Sequence, residues 1–156
     1  MARDKGKAFE TKFKEDWLKS FPEGFLYRLP DQMSGYKVTS KNLCDFIGFN
    51  LNTLYLTECK SHKGASIPIA NITQYESLKT KVDIKGVRSG VVLWLYEKDK
   101  VFYIPTKTIT QMINDGEKSI GIRHLDKYRI IEIPSTKKRV FMDSDYSILK
   151  NLGEGD

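Results

Sequence analysis

Asp45, Glu58 and Lys60 are the residues of this sequence whose types and spacing could do chemistry. An aspartate, twelve residues, then Glu-x-Lys brings two carboxylates and an ammonium together if the chain between them folds back on itself. Two carboxylates a few ångströms apart repel, and burial raises the cost of ionising both. A divalent cation relieves that conflict. Mg²⁺ takes oxygen ligands at about 2.0–2.1 Å, commonly one or two carboxylates with water and phosphate oxygens completing the set. The Lys60 ammonium can then orient or help deprotonate an attacking water and offset charge growing on the phosphorus. The chemistry implied is Mg²⁺-dependent cleavage of a DNA phosphodiester. The plain alternative is a half-buried hairpin with a solvated polar end, because this spacing also arises by chance.

The segment that must position these groups runs from Leu43 to Lys60 and reads as two strands joined by a tight turn. Strand side chains alternate faces, so a one-residue slip would send every one to the wrong side. With Asp45 opposite Glu58, Ile47 meets Leu56, Phe49 meets Leu54, and Leu51-Asn52 is left as a two-residue turn, the commonest hairpin connection. One face then carries Asp45, Ile47, Phe49, Leu54, Leu56, Glu58 and Lys60, an apolar run ending in a cluster of charge. In the same register Cys44 and Cys59 face each other on the side away from the carboxylates. They have no metal-ligand spacing and are expected to be reduced, buried side chains.

With 156 residues, 40% of them hydrophobic, the chain is expected to form one domain with a sizeable core. A formal charge of +6 suits a polyanionic partner. The longest apolar run, Val91 to Tyr96, is far too short to span a membrane, and the N-terminus lacks a signal-peptide pattern. A cytoplasmic setting is expected.

Around the hairpin, Asp4 to Ser20 has helical periodicity, with Phe9, Phe13 and Trp17 at four-residue steps among lysines that include Lys7. Glu10 borders that stripe and could lean over the charged end as a third carboxylate, or it could simply be a solvated first-turn glutamate favoured by the helix dipole. Phe25 to Leu29 reads as a strand. Asp31 to Asn42 reads as a loop whose Lys37 and Lys41 could touch phosphates. Ser61 to Ser66 reads as a flexible connection that leaves His62 and Lys63 near bound DNA. A second helix is expected over Asn71 to Lys85, with Ile72, Tyr75, Leu78 and Val82 buried and Gln74 turned toward the site. Strands are expected over Val87–Tyr96 and Lys100–Ile104, a helix over Thr106–Asn114 capped by Thr106, an edge strand over Tyr128–Ile133, a basic turn over Ser135–Arg139 and a short terminal helix from Tyr146. This order describes an α+β core, one central sheet flanked by helices.

The run from Asp45 to Leu78 resembles the central block of the RecU-type Holliday-junction resolvases, a branch of the PD-(D/E)xK nuclease superfamily. Asp45-Phe46-Ile47-Gly48, Glu58-Cys59-Lys60, Ile67-Pro68-Ile69 and Gln74 carry the likeness, and Gly6, Phe9 and Glu10 are similar to an N-terminal family motif. Two features depart from the pattern: Leu29 to Leu43 is short where the family inserts a stalk, and Thr73 stands where a histidine precedes the glutamine. The resemblance implies a restriction-endonuclease-like fold with a mixed sheet and a homodimer acting on branched DNA, the four-way junction. It implies Mg²⁺ or Mn²⁺ held by Asp45, Glu58, Glu10 and the Cys59 backbone carbonyl, with Lys60 acting on water. Gln74, His62, Lys63, Lys37, Lys41 and Lys7 are the expected DNA contacts. A same-fold nuclease of linear duplex or single-stranded DNA stays open beside this reading, as does a basic DNA-binding protein without chemistry.

Overall fold

The computed structural model describes residues 5–30 and 42–152. Helix α1 (Lys5–Ser20) forms where the four-residue stripe places it, with Phe9, Phe13 and Trp17 buried. Strands β1 (Phe25–Arg28), β2 (Phe46–Asn50) and β3 (Thr53–His62) follow, then β4 (Ser66–Pro68), α2 (Tyr75–Lys79), β5 (Val87–Leu95), β6 (Lys100–Pro105) and α3 (Thr106–Asn114). The chain ends with β7 (Ser119–Gly121), β8 (Ile131–Glu132), β9 (Ser135–Lys137), β10 (Met142–Ser144) and a 3-10 turn, Tyr146–Asn151. Six strands make one sheet in the order β1-β2-β3-β5-β6-β8. All its pairs are antiparallel except β3 with β5, so the sheet is mixed, as expected. The parallel pair requires a crossover, which the segment containing β4 and α2 supplies. Among the described residues no helix is long and apolar enough to cross a membrane.

Two cores lie on the two faces of the sheet. On one, α1 and the terminal 3-10 turn bury Trp17, Phe46, Tyr55, Val92 and Trp94. Trp17 reaches the sheet over Gly48, where a Cβ would sit 3.0 Å from the indole and 2.9 Å from Leu26. On the other, α2 and α3 cover Leu56, Val91, Leu93 and Ile104 with Leu78, Ile109 and Met112. Strand β5 is buried on both faces, in keeping with its apolar run.

The hairpin register is the expected one, Ile47 with Leu56 and Phe49 with Leu54, closed by Leu51-Asn52 with Leu51 in the left-handed region. It departs from regularity at its open end. The Asp45 N–H donates to the Thr57 carbonyl, although Thr57 is already paired with Phe46. Two residues thus oppose one, as in a bulge, and alternation is lost at that point. The cysteines record the consequence. Cys44 belongs to the core under α2 and α3 and Cys59 to the core under α1, so they do not face each other as simple alternation expects.

Other expectations are corrected by tertiary context. Strand β3 continues through Ser61 and His62, expected to be loop, because β5 pairs with it from Leu54 to His62. The second helix shrinks from the expected Asn71–Lys85 to five residues flanked by turns. Ile72, Thr73, Thr80, Val82 and Asp83 are poor helix formers, and burial of Ile72, Tyr75 and Leu78 is achieved without the rest. Thr106 does not cap α3: it is the first helical residue, and its hydroxyl shares a buried 2.8 Å hydrogen bond with Ser89. The basic turn after Ser135 is instead the small β9–β10 ribbon, and the expected edge strand is reduced to β8.

Candidate active site

Glu58 and Lys60 lie on β3 opposite Val91 and Leu93, and therefore on the face covered by α2 and α3. Glu58 is 1% exposed. Its Oε1 accepts a 3.2 Å hydrogen bond from the Gln74 backbone N–H. Its Oε2 has the Lys60 Nζ at 3.3 Å, an ion-pair distance, but receives no aligned hydrogen bond. Burial pushes the Glu58 carboxyl from near 4.5 up to about 7. Lys60 pulls it down, and the neighbouring Asp45 charge pushes it further up. Asp45 is held from the other side: its Oδ2 accepts a 2.9 Å hydrogen bond from the Cys59 N–H. A residue in an extended strand presents its N–H and C=O to the same neighbour. The Cys59 carbonyl accordingly faces the gap where β2 has bulged away.

Gln74 stands immediately before α2 and contributes its N–H to Glu58, while its side-chain Oε1 is a buried oxygen without a hydrogen-bond partner. Glu10 reaches the same end of the sheet from the α1 side. Its carboxylate is bound by Arg28, from Nε at 2.8 Å and Nη2 at 2.7 Å. Among the described residues no group of three or more His, Cys, Asp or Glu is placed to hold a metal ion, and Glu10 is engaged by Arg28. Arg28 was not singled out by the sequence. It occupies an ordinary strand position, and only its pairing with Phe46 reveals that it adjoins Asp45. With Lys7, Glu10, Thr11, Lys14, Pro30 and Phe46 it lines an open groove of about 530 Å³.

His62 ends β3 with its Nδ1 2.7 Å from the Lys63 carbonyl, and Lys63 is exposed beside it. Both lie one or more strand positions past Lys60. Lys37 and Lys41 fall outside the described residues.

Residues 30–143 match the profile of the family RecU, Recombination protein U. The chain belongs to the RecU family. Asp45, Glu58, Lys60 and Gln74 lie inside the match; Glu10 and Arg28 lie outside it. Among solved structures, the chain is similar to the 1.6 Å structure of Archaeoglobus fulgidus Hjc, a Holliday junction resolvase from an archaeal hyperthermophile. The TM-score is 0.57 at 21% identity, over 79% of this chain and 93% of that one, so the two share a fold. A search of curated proteins finds no match.

Proposed function

We propose that this RecU-family protein is a divalent-cation-dependent endonuclease that cuts four-way DNA junctions in recombination, acting as a homodimer. One observation carries the chemistry: a fully buried carboxylate oxygen, Glu58 Oε2, lacks a hydrogen bond where Asp45 and Lys60 converge. An ionised carboxylate buried this deeply, with one backbone donor on Oε1 and a single ion pair on Oε2, is costly. The donor set of hard oxygens beside an ammonium fits Mg²⁺ or Mn²⁺, with Asp45, Glu58 and the Cys59 carbonyl as ligands and Glu10 as a further acid. Such an ion, when bound, polarises the scissile phosphate and lowers the pKa of a water.

The residues of the chain do the rest. The Gln74 and Cys59 N–H groups each hold one carboxylate oxygen, which fixes both acids before DNA arrives. Val91 and Leu93 give Glu58 and Lys60 an apolar backing, where electrostatic stabilisation is stronger than in water. Lys60, ion-paired with Glu58 at 3.3 Å, sets a positive charge beside the acids, where it would offset charge developing on the phosphate. The junction as substrate rests on the RecU membership and on the fold shared with Hjc, named as a Holliday junction resolvase. Release of a symmetric junction needs two opposed cuts, hence two copies.

The test is a cleavage assay on labelled four-way, flap and linear duplexes at matched salt, with Mg²⁺ or chelator. Asp45→Ala should retain junction binding and lose cleavage. Cleavage by that variant would refute the assigned site, and equal rates on all three substrates would refute junction selectivity.

A further inference from the structure

Arg28 and Glu10 meet at the edge of the site, one from β1 and one from α1. Two nitrogens of the guanidinium fall on one carboxylate oxygen, Oε1, Nε at 2.8 Å and Nη2 at 2.7 Å. The third, Nη1, donates to the Leu29 carbonyl, and the guanidinium lies over the Phe46 ring at 6.0 Å. Arg28 therefore keeps two supports of its own when Glu10 leaves. The pair also adjoins the acids. Leu29, the next residue of the chain, donates its N–H to the Asp45 carbonyl at 2.9 Å. The Cys59 thiol, on the α1 side of β3, is pushed up first by burial and then by the charges of Asp45, Glu10 and Glu58, while Arg28 pulls it down. All four charges thus act on one point of the strand.

We propose that the groove beside α1 is a phosphate site centred on Arg28, and that a DNA phosphate displaces Glu10 from it and so releases this acid to the cation. The groove has a volume of about 530 Å³, and Lys7 and Lys14 flank Glu10 on the same face of α1, three and four residues from it. Its charge suits a phosphate in every respect but one: the Glu10 carboxylate stands in the middle and repels it. A divalent ion removes that conflict by taking the carboxylate. The exchange conserves charge, because Arg28 passes from a carboxylate to a phosphate and Glu10 from a guanidinium to a cation. A guanidinium suits either anion. The side chains of the pair are 27% and 21% exposed, so the contact is screened by water and easily parted. While it stands, no third acid joins Asp45 and Glu58 among the described residues. Release of Glu10 to a cation rests on the proposed function; the phosphate site does not.

Coupling of this kind is reciprocal, so DNA must tighten cation binding by the factor that the cation tightens DNA binding. Calorimetric titration with Mn²⁺, in a Lys60→Met background where DNA is cut slowly, measures it without reference to cleavage. A four-way junction should tighten Mn²⁺ binding at least about fivefold. Arg28→Met keeps a stem over Phe46; without DNA it should tighten Mn²⁺ binding at least about fivefold and leave little for DNA to add. In the double variant with Glu10→Gln that tightening should vanish. Tightening that persists there would come from the deleted charge alone and would overturn the exchange, as would an Arg28→Met protein with unchanged or weaker Mn²⁺ binding. In chelator, Glu10→Gln should strengthen junction binding severalfold and Arg28→Met should weaken it; no change in either would overturn the phosphate site. Glu58→Gln separates the two levels. Loss of Mn²⁺ binding in it upholds the acids, so that failure at Arg28 counts against the exchange alone. Mn²⁺ binding indifferent to Glu58 would overturn the proposed cation site and the release of Glu10 with it.

Discussion

Removing the charge of Glu58 without changing its shape should make the metal-free protein more stable, and the size of the gain follows from the burial of that carboxyl. Its pKa rises from near 4.5 to about 7, first because burial penalises the charged form. That difference corresponds to about 3 kcal/mol between the two protonation states. The sign is fixed by proton counting. Between pH 4.5 and 7 the folded state holds a proton on Glu58 that the unfolded chain has released, so this group's contribution to stability falls as pH rises through that window and levels off above it. Glu58→Gln keeps an acceptor for the Gln74 N–H and has nothing to ionise. Its cost is the loss of a partner for Lys60, which is partly exposed, and such pairs are worth about 0–1 kcal/mol.

In chelator, wild type and Glu58→Gln should therefore match near pH 5 and diverge toward pH 8, with the variant ahead by about 2 kcal/mol. For a chain of this length that is roughly 4–8 °C in melting temperature. Mg²⁺ or Mn²⁺ should close the gap by stabilising only the wild type, because a cation takes the ionised form. The assay is thermal unfolding by circular dichroism at several pH values for both proteins. Parallel pH profiles in chelator would refute the reasoning, since Glu58 would then carry no penalty for its charge.

Lys60→Met should lower single-turnover cleavage by about 10²–10³-fold, the usual effect of removing one stabilising group from a charged transition state, while junction affinity at fixed salt changes much less. Gly90→Ala should cost about 1–3 kcal/mol, read from chemical denaturation, because the added methyl would collide with the buried Tyr103 ring. Leu78→Ala should cost about 2–5 kcal/mol. It should also reduce cleavage, because Leu78 anchors the short helix next to the Gln74 N–H that holds Glu58.

Much of this arrangement was legible in the chain itself. Phe9, Phe13 and Trp17 recur at helical spacing and form α1 where expected. The alternation from Ile47 to Leu56 admits one register and one two-residue turn, and β2 and β3 adopt both. Period and parity are local properties, which is why Glu58 and Lys60 could be placed on the same face as Leu56 from spacing alone. The sequence did not show that β2 bulges at Asp45 and sends Cys44 and Cys59 into different cores. Nor did it show that β3 runs on to His62, which depends on hydrogen bonds from a strand 33 residues away in the pairing of Tyr55 and Arg88 onward. The partners of the acids were equally hidden: Arg28 on Glu10, and the Gln74 and Cys59 N–H groups on Glu58 and Asp45. Spacing along a strand determines which side chains share a face. How far a carboxylate is dried, and which donors remain to satisfy it, depends on chains that meet only in the folded molecule.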